Sequence, residues 1–309
     1  MNPPRSLVPL VAALCALAIG STAAADNQSC VVDVPTVLAE STVPKISEVT
    51  PLAQGRWVGD IYVLPFDDTG PYDRDLPGGQ VNVAARQWVA QSFFAHNPDA
   101  FDFLAVVTGF VFNAGWGQHG DPVHGLYWAI QNDVSGIGLP YFDTANAFGT
   151  RRLQGYIDAN NLELVRDIHG HLDDQLFLTV LNHELGHRWL AYCSFEDGQG
   201  NATDALLGLD GGHWSYLLDS DASYMYGAEW RDNGDDSFTS VEVKQRFSPL
   251  DLYLMGMLSP EEVGPIILLH NPLVPADQYP VLGATIDASP TTVTVDQVVA
   301  VEGLRDPAA

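Results

Sequence analysis

His183-Glu184-Leu185-Gly186-His187 brings two imidazoles and a carboxylate together within five residues. On an α-helix, residues four apart share a face and stand about 6 Å apart along the axis, so both rings can grip one metal ion through a single nitrogen each. Glu184, one residue round from the first ring, can reach a water held by that ion. A bound zinc lowers such a water's pKa toward about 7 and polarises a carbonyl. Glu184 can then take the proton as general base and return it to a leaving amine. The plainer reading, a solvated helix face with two unrelated histidines, fits poorly with the strongly helical surroundings and the signs of export given below. Gly186 costs the helix about 1 kcal/mol relative to alanine. Two explanations compete for it: space for the metal and substrate, or close packing on a neighbouring segment.

The motif resembles that of the zincin metallopeptidases, and their metzincin branch continues it as HExxHxxGxxH. The corresponding positions here are Leu190 and Cys193. Without a glycine break, Cys193 would point about 120° away from His187, which makes it a poor ligand. A catalytic zinc needs a third protein ligand and an open position. His213 is the first choice, because two glycines, Gly211 and Gly212, give it reach and neutral imidazole is the commonest zinc ligand. Asp219, Asp221 and Glu229 are the alternatives, and Asn233 replaces the aspartate that usually follows such a glutamate. Ser223-Tyr224-Met225-Tyr226 looks like a Met-turn with its tyrosine one residue early, leaving Tyr216, Tyr224 and Tyr226 as oxyanion-donor candidates. The blocks around His213-Trp214 and Phe247-Ser248-Pro249 are similar to those of secreted bacterial proteins with an HExxH helix. The resemblance implies an α+β, zincin-like catalytic domain of two subdomains over residues 81–260, with a mixed sheet, zinc, and a peptide or protein substrate. A secreted metal-containing binding or surface protein, and a zinc hydrolase of a non-peptide bond, are the rival functions.

The surrounding pattern supplies elements to hold these groups. Residues 82–96 read as a helix with Val83, Trp88, Val89 and Phe93 on its apolar face. Phe103 to Phe112 reads as a buried strand, and Leu126–Ile130 as a short element of either type. Asp173 or Asp174 can cap the metal helix, which the pattern carries to about Tyr192. Residues 197–239 read as mostly loop, and Ser248-Pro249-Leu250-Asp251 as a helix start with a capping box. Arg56 to Leu64 reads as one strand, and residues 26–80 are either a prosegment or part of the fold. The tail, 261–309, is β-rich and includes a strand candidate at Thr291 to Val295.

Arg5, an apolar run from Leu7 to Ile19 and Ala23-Ala24-Ala25 compose a signal peptide over residues 1–25. Its apolar run is too short to span a bilayer, and no later run reaches the ~18 residues needed. The chain is therefore expected outside the cytoplasm, secreted or periplasmic, and off the membrane after cleavage. A net charge of −26 with only two lysines, Lys45 and Lys244, repels nucleic acid and anionic lipid. Cys30 and Cys193 remain after cleavage and can pair or stay as separate thiols. Asp232-Asn233-Gly234-Asp235-Asp236 partly resembles a calcium loop, but Ser237 and Val243 stand where glycine and glutamate belong. A solvated acidic turn is the preferred reading, with Ca²⁺ the alternative. His169 and His171 flank a turn glycine, as His119 and His124 bracket Gly120-Asp121-Pro122, and both pairs read as surface. No serine-hydrolase elbow, phosphate-binding loop or dinucleotide fingerprint occurs. Oligomeric state leaves no mark in the sequence.

Overall fold

The computed structural model describes residues 10–17, 55–66, 72, 81–112 and 123–308. The chain is mixed α+β, with four α-helices among the described residues and several sheets. It divides into two compact units: Met1–Gln131 with Thr144–Leu181, and Asn132–Asp143 with Asn182–Ala309.

The first unit is built on a mixed sheet. β1 (Leu10–Leu17), β2 (Arg56–Val58), β3 (Ile61–Phe66), β4 (Phe103–Val107), β5 (Leu126–Ala129) and β8 (Gly155–Asp158) lie in the order β2-β3-β1-β4-β8-β5. β4 and β8 are parallel and the other neighbours antiparallel. β1 lies within the stretch read as a signal peptide, so a chain cleaved after Ala25 lacks the strand between β3 and β4. The single strand expected over Arg56–Leu64 is instead a hairpin, turned at Gly59, whose φ of 58° is left-handed and easiest for glycine. α1 (Val83–Phe94) matches the helix read from 82–96. The Asn82 side chain accepts from Ala85 N at 3.3 Å, and Arg86, Val89, Ala90 and Phe93 form the buried face. β4 stops at Val107, short of Phe112, because Thr108 N leaves the sheet for the carbonyl of Asn160.

Two short strands, β6 (Gln131–Asn132) and β7 (Phe142–Asp143), pair with each other, as do β9 (Phe195–Glu196) and β10 (Ala202–Thr203). The second unit's large sheet contains β11 (Leu218–Asp219), β12 (Ala228–Asp232), β13 (Ser237–Val243), β14 (Ile266–His270), β15 (Thr285–Asp287) and β16 (Ser289–Val293). Their order is β15-β13-β12-β11-β14-β16. Ala288 alone separates β15 from β16, so one continuous stretch of chain supplies both edges and the sheet curls around its core. Tyr216, Leu217, Trp230, Phe238 and Leu269 fill that core. Within the mostly loop stretch 197–239, β12 and the start of β13 are strands that the sequence reading does not pick out. They are short strands joined by the acidic turn 233–236, whose turn residues mask the alternation on either side. α2 (Asp174–Gly186), which carries His183 and Glu184, falls partly in each unit; α3 (Pro249–Met255) and α4 (Val295–Glu302) belong to the second. α3 has the anticipated capping box: Asp251 N donates to Ser248 Oγ at 3.0 Å, and Ser248 N donates to Asp251 Oδ2 at 2.8 Å.

Candidate metal centre

Asp173 is the cap of α2: Leu176 N donates to its side chain, and Phe177 N to its carbonyl, both at 2.9 Å. The helix ends at Gly186 rather than running to Tyr192. Trp189 N and Leu190 N both turn back to the Gly186 carbonyl, and Ala191 takes a left-handed φ of 63°. His187 therefore sits just past the last helical residue, yet it keeps the helical relation, its N–H 3.4 Å from the His183 carbonyl. The two rings lie 4.9 Å apart with planes at 88°. The turn beyond is fastened twice. Tyr192 donates its hydroxyl to the His187 carbonyl at 2.7 Å, and Arg188, buried, donates to Asn132 and Asp133 at 2.8 and 3.0 Å.

Gly186 answers to packing. A Cβ on it would stand 2.4 Å from Sδ of Met225, a fully buried residue of the Met-turn-like segment. The crowding agent is thus that methionine.

His213 arrives from a tight loop. Gly208 N donates to the His213 carbonyl at 2.8 Å, and Asp210 and Gly211 both adopt left-handed φ. The next residue, Trp214, is buried and donates its indole N–H to Asp251 at 2.8 Å, which fixes the loop to α3. His213 Nε2 comes to 3.2 Å from His183 Nε2, and the three histidines bring one ring nitrogen each within 4.8 Å of one another.

Second partners set which nitrogens are free. His183 Nδ1 faces the Tyr224 carbonyl at 2.8 Å, and His213 Nδ1 faces the Leu209 carbonyl at 2.9 Å. A carbonyl only accepts, so each Nδ1 carries the proton and each Nε2 keeps its lone pair. Two lone pairs then confront each other at 3.2 Å, an arrangement that a shared cation relieves. Burial pushes the His183 pKa down to about 3, helped by His213, and pushes His187 well below its ordinary value, helped by both neighbours. Burial also lowers His213, against the opposing pull of Leu209 and Asp210. All three rings are neutral at pH 7, the form that binds metal. His183, His187 and His213 could hold a metal ion.

Glu184 is buried one residue after His183, and its charge bears on the hydroxyls of Tyr192 and Tyr226. Of the three tyrosine candidates, only Tyr226 borders the histidines, its ring 4.5 Å from that of His183 and 4.3 Å from that of His213. Tyr224 turns its ring onto Phe247 and contributes its carbonyl instead, while Tyr216 belongs to the sheet core.

The alternative ligands are engaged elsewhere. Asp219 accepts from Trp230 N, with its pKa raised to about 6 chiefly by burial, and Glu229 pairs with Arg246. Neither these two nor Asp221 joins the histidine group. Cys193 is a buried free thiol, pushed up by burial, and Cys30 lies outside the described residues. Asp232 and Asp235 bond Gly234 N and Ser237 Oγ within the β12–β13 turn, and no metal-holding group forms there among the described residues. His169 and His171 are exposed, as is His124; His119 lies outside the described residues. Sequence reasoning missed Tyr192, the Tyr224 carbonyl and Tyr279, which touches Tyr226 at a ring distance of 5.1 Å. Comparison with protein families, curated proteins and solved structures finds no match to this chain.

Proposed function

We propose that this chain is an exported, zinc-dependent peptidase of zincin type, with His183, His187 and His213 as metal ligands and Glu184 as general acid and base. The observation that carries the reading is the convergence of three neutral imidazoles from two separate segments, within 4.8 Å, beside a buried carboxylate. Three imidazoles suit zinc among several transition metals, and export favours zinc over iron(II) or copper(I) chemistry sheltered inside cells. When bound, zinc supplies a Lewis acid and an acidified water.

The chain's own residues do the rest. The Tyr224 and Leu209 carbonyls hold two rings with Nε2 outward, so no rotamer search precedes binding. Glu184 moves the proton: it accepts one from the attacking water and delivers it to the departing amine. Burial of that carboxylate limits competing solvent.

Two measurements test this together. Metal analysis of the purified chain should find about one zinc per molecule in both wild type and Glu184→Gln, as expected when the carboxylate is not a ligand. A mixed peptide library should be cleaved by wild type and at least about 100-fold more slowly by the variant, the usual cost of losing a general base. Bound zinc without cleavage by wild type points to a binding protein; no retained transition metal ends the proposal. The N-terminus of the exported chain, read by intact mass, checks cleavage after Ala25.

A further inference from the structure

The loop between β14 and β15 reaches the metal centre by a single side chain. Its tip is anchored on both sides: Tyr216 N donates to the Ala276 carbonyl at 2.9 Å, and Ser240 Oγ to the Val281 carbonyl at 2.6 Å. Between them the tip, Asp277 to Pro280, presents Tyr279 against Tyr226, with ring centroids 5.1 Å apart and planes at 58°. Tyr279 is otherwise half in solvent, 52 % exposed. Its position is therefore set by this contact and the loop anchors.

Tyr226 is held awkwardly. Its φ of 62° is left-handed, a conformation an aromatic residue adopts only when its surroundings enforce it. Its ring lies nearly parallel to those of His183 and His213, at 26° and 11°, over the place where their Nε2 atoms meet. Lys244 Nζ is 5.5 Å from the same ring. An uncovered aromatic side chain at a strained backbone would swing among rotamers; here the Tyr279 ring packs against it.

We propose that Tyr279 is a positioning residue for the metal centre: by holding Tyr226, it keeps the phenol ring stacked on the His183–His213 pair and so governs how readily a bound metal escapes. This rests on the three-histidine reading of the site. It adds a residue 53 positions from Tyr226 in sequence, outside every motif. Aromatic stacking on the ligands restricts their rings and shields the metal's flank, so loosening it raises the dissociation rate more than it changes ligand identity.

The test uses the full chain in two states. In the metal-free protein, the imidazole C–H resonances of His183 and His213 should carry ring-current shifts from Tyr226, assigned by His→Gln substitution at each. Tyr279→Ala should collapse those shifts, and Tyr279→Phe should preserve most of them, since the ring contact survives. In the zinc-loaded protein, release to a chromophoric chelator should quicken several-fold in Tyr279→Ala. In a Tyr226→Leu background, the same substitution should add nothing. Unaltered shifts in Tyr279→Ala, or an equal acceleration with and without Tyr226, overturns the inference even if zinc is bound. Failure of wild type to take up zinc overturns the metal reading instead, and the resonance arm still decides whether Tyr279 holds Tyr226.

Discussion

Each unit buries a cluster of polar side chains, and the two clusters are resolved in opposite ways. In the first unit, Arg86 on α1 meets Asp158 on β8 at 2.5 Å, both side chains fully buried. Tyr72 donates to Asp158 at 3.0 Å and lies 4.7 Å under the guanidinium, and Arg86 also donates to the Asn82 carbonyl. Charge answers charge within the cluster. In the second unit, three imidazoles converge, and His183 and His213 have their outer nitrogens pinned by carbonyls, so like meets like. A buried cluster of opposite charges reads as architecture; one whose lone pairs point at each other reads as able to hold a cation.

Removing half of the first cluster should give the largest effect. Arg86→Ala leaves the Asp158 carboxylate buried opposite no cation, which costs about 3–5 kcal/mol. Urea denaturation measures it, and Arg86→Met combined with Asp158→Leu should recover most of the loss, because an apolar pair owes no desolvation. Metal content per folded molecule should stay unchanged. A drop under about 1 kcal/mol would mean the ion pair is not what holds this core.

The same truncation in the second cluster should behave differently. His213→Ala removes one of two opposed lone pairs, so the metal-free variant should unfold at nearly the wild-type urea concentration, or slightly above it. The penalty should emerge only with zinc present. At a zinc concentration 100 times its dissociation constant, wild type should gain about 2.7 kcal/mol, and the variant only a small part of that. Equal gains would remove His213 from the ligand set.

Acid offers a third contrast. Histidines held neutral take up fewer protons folded than unfolded. Their stabilising contribution is complete above the ordinary histidine value of about 6.5 and is lost as pH falls toward the folded value, about 3 for His183. Stability of the metal-free chain should fall by up to about 1.4 kcal/mol per pH unit for each proton taken up in that window. His183→Gln should flatten the slope, whereas Arg86→Met with Asp158→Leu should not. A slope indifferent to His183 would show that other groups govern acid unfolding.

What the sequence disclosed follows the range of each interaction. The HExxH spacing, the Asp173 cap and the Ser248–Asp251 box are complete within five residues, so residue type alone exposes them. His213 is legible because two glycines precede it and neutral imidazole is the commonest zinc ligand. The Arg86–Asp158 pair spans 72 positions and the Tyr226–Tyr279 contact 53; nothing local marks either. The end of α2 was misread because the apolar residues Trp189 and Leu190 continue a helical pattern that the backbone abandons at Gly186. There they are buried by a turn, and burial was mistaken for periodicity. β12 and β13 hid behind an acidic turn for a related reason, since the turn's composition dominated the short strands beside it.

The smallest expected effect concerns Gly186, where both explanations offered by the sequence can be separated. Alanine gains about 1 kcal/mol of helix propensity, but its Cβ would meet Met225 Sδ at 2.4 Å and Leu190 Cδ1 at 3.3 Å in a filled core. Overpacking of this kind costs about 1–3 kcal/mol, so Gly186→Ala should destabilise by about 1 kcal/mol net. Gly198, in a turn with nothing within 4 Å, gives the control: Gly198→Ala should be neutral or slightly stabilising. In a Met225→Leu background the Gly186→Ala cost should shrink by at least about 0.5 kcal/mol, the size of coupling expected for residues in contact. If Gly186→Ala left stability intact yet weakened zinc binding in both backgrounds, the glycine would be serving the metal rather than the methionine.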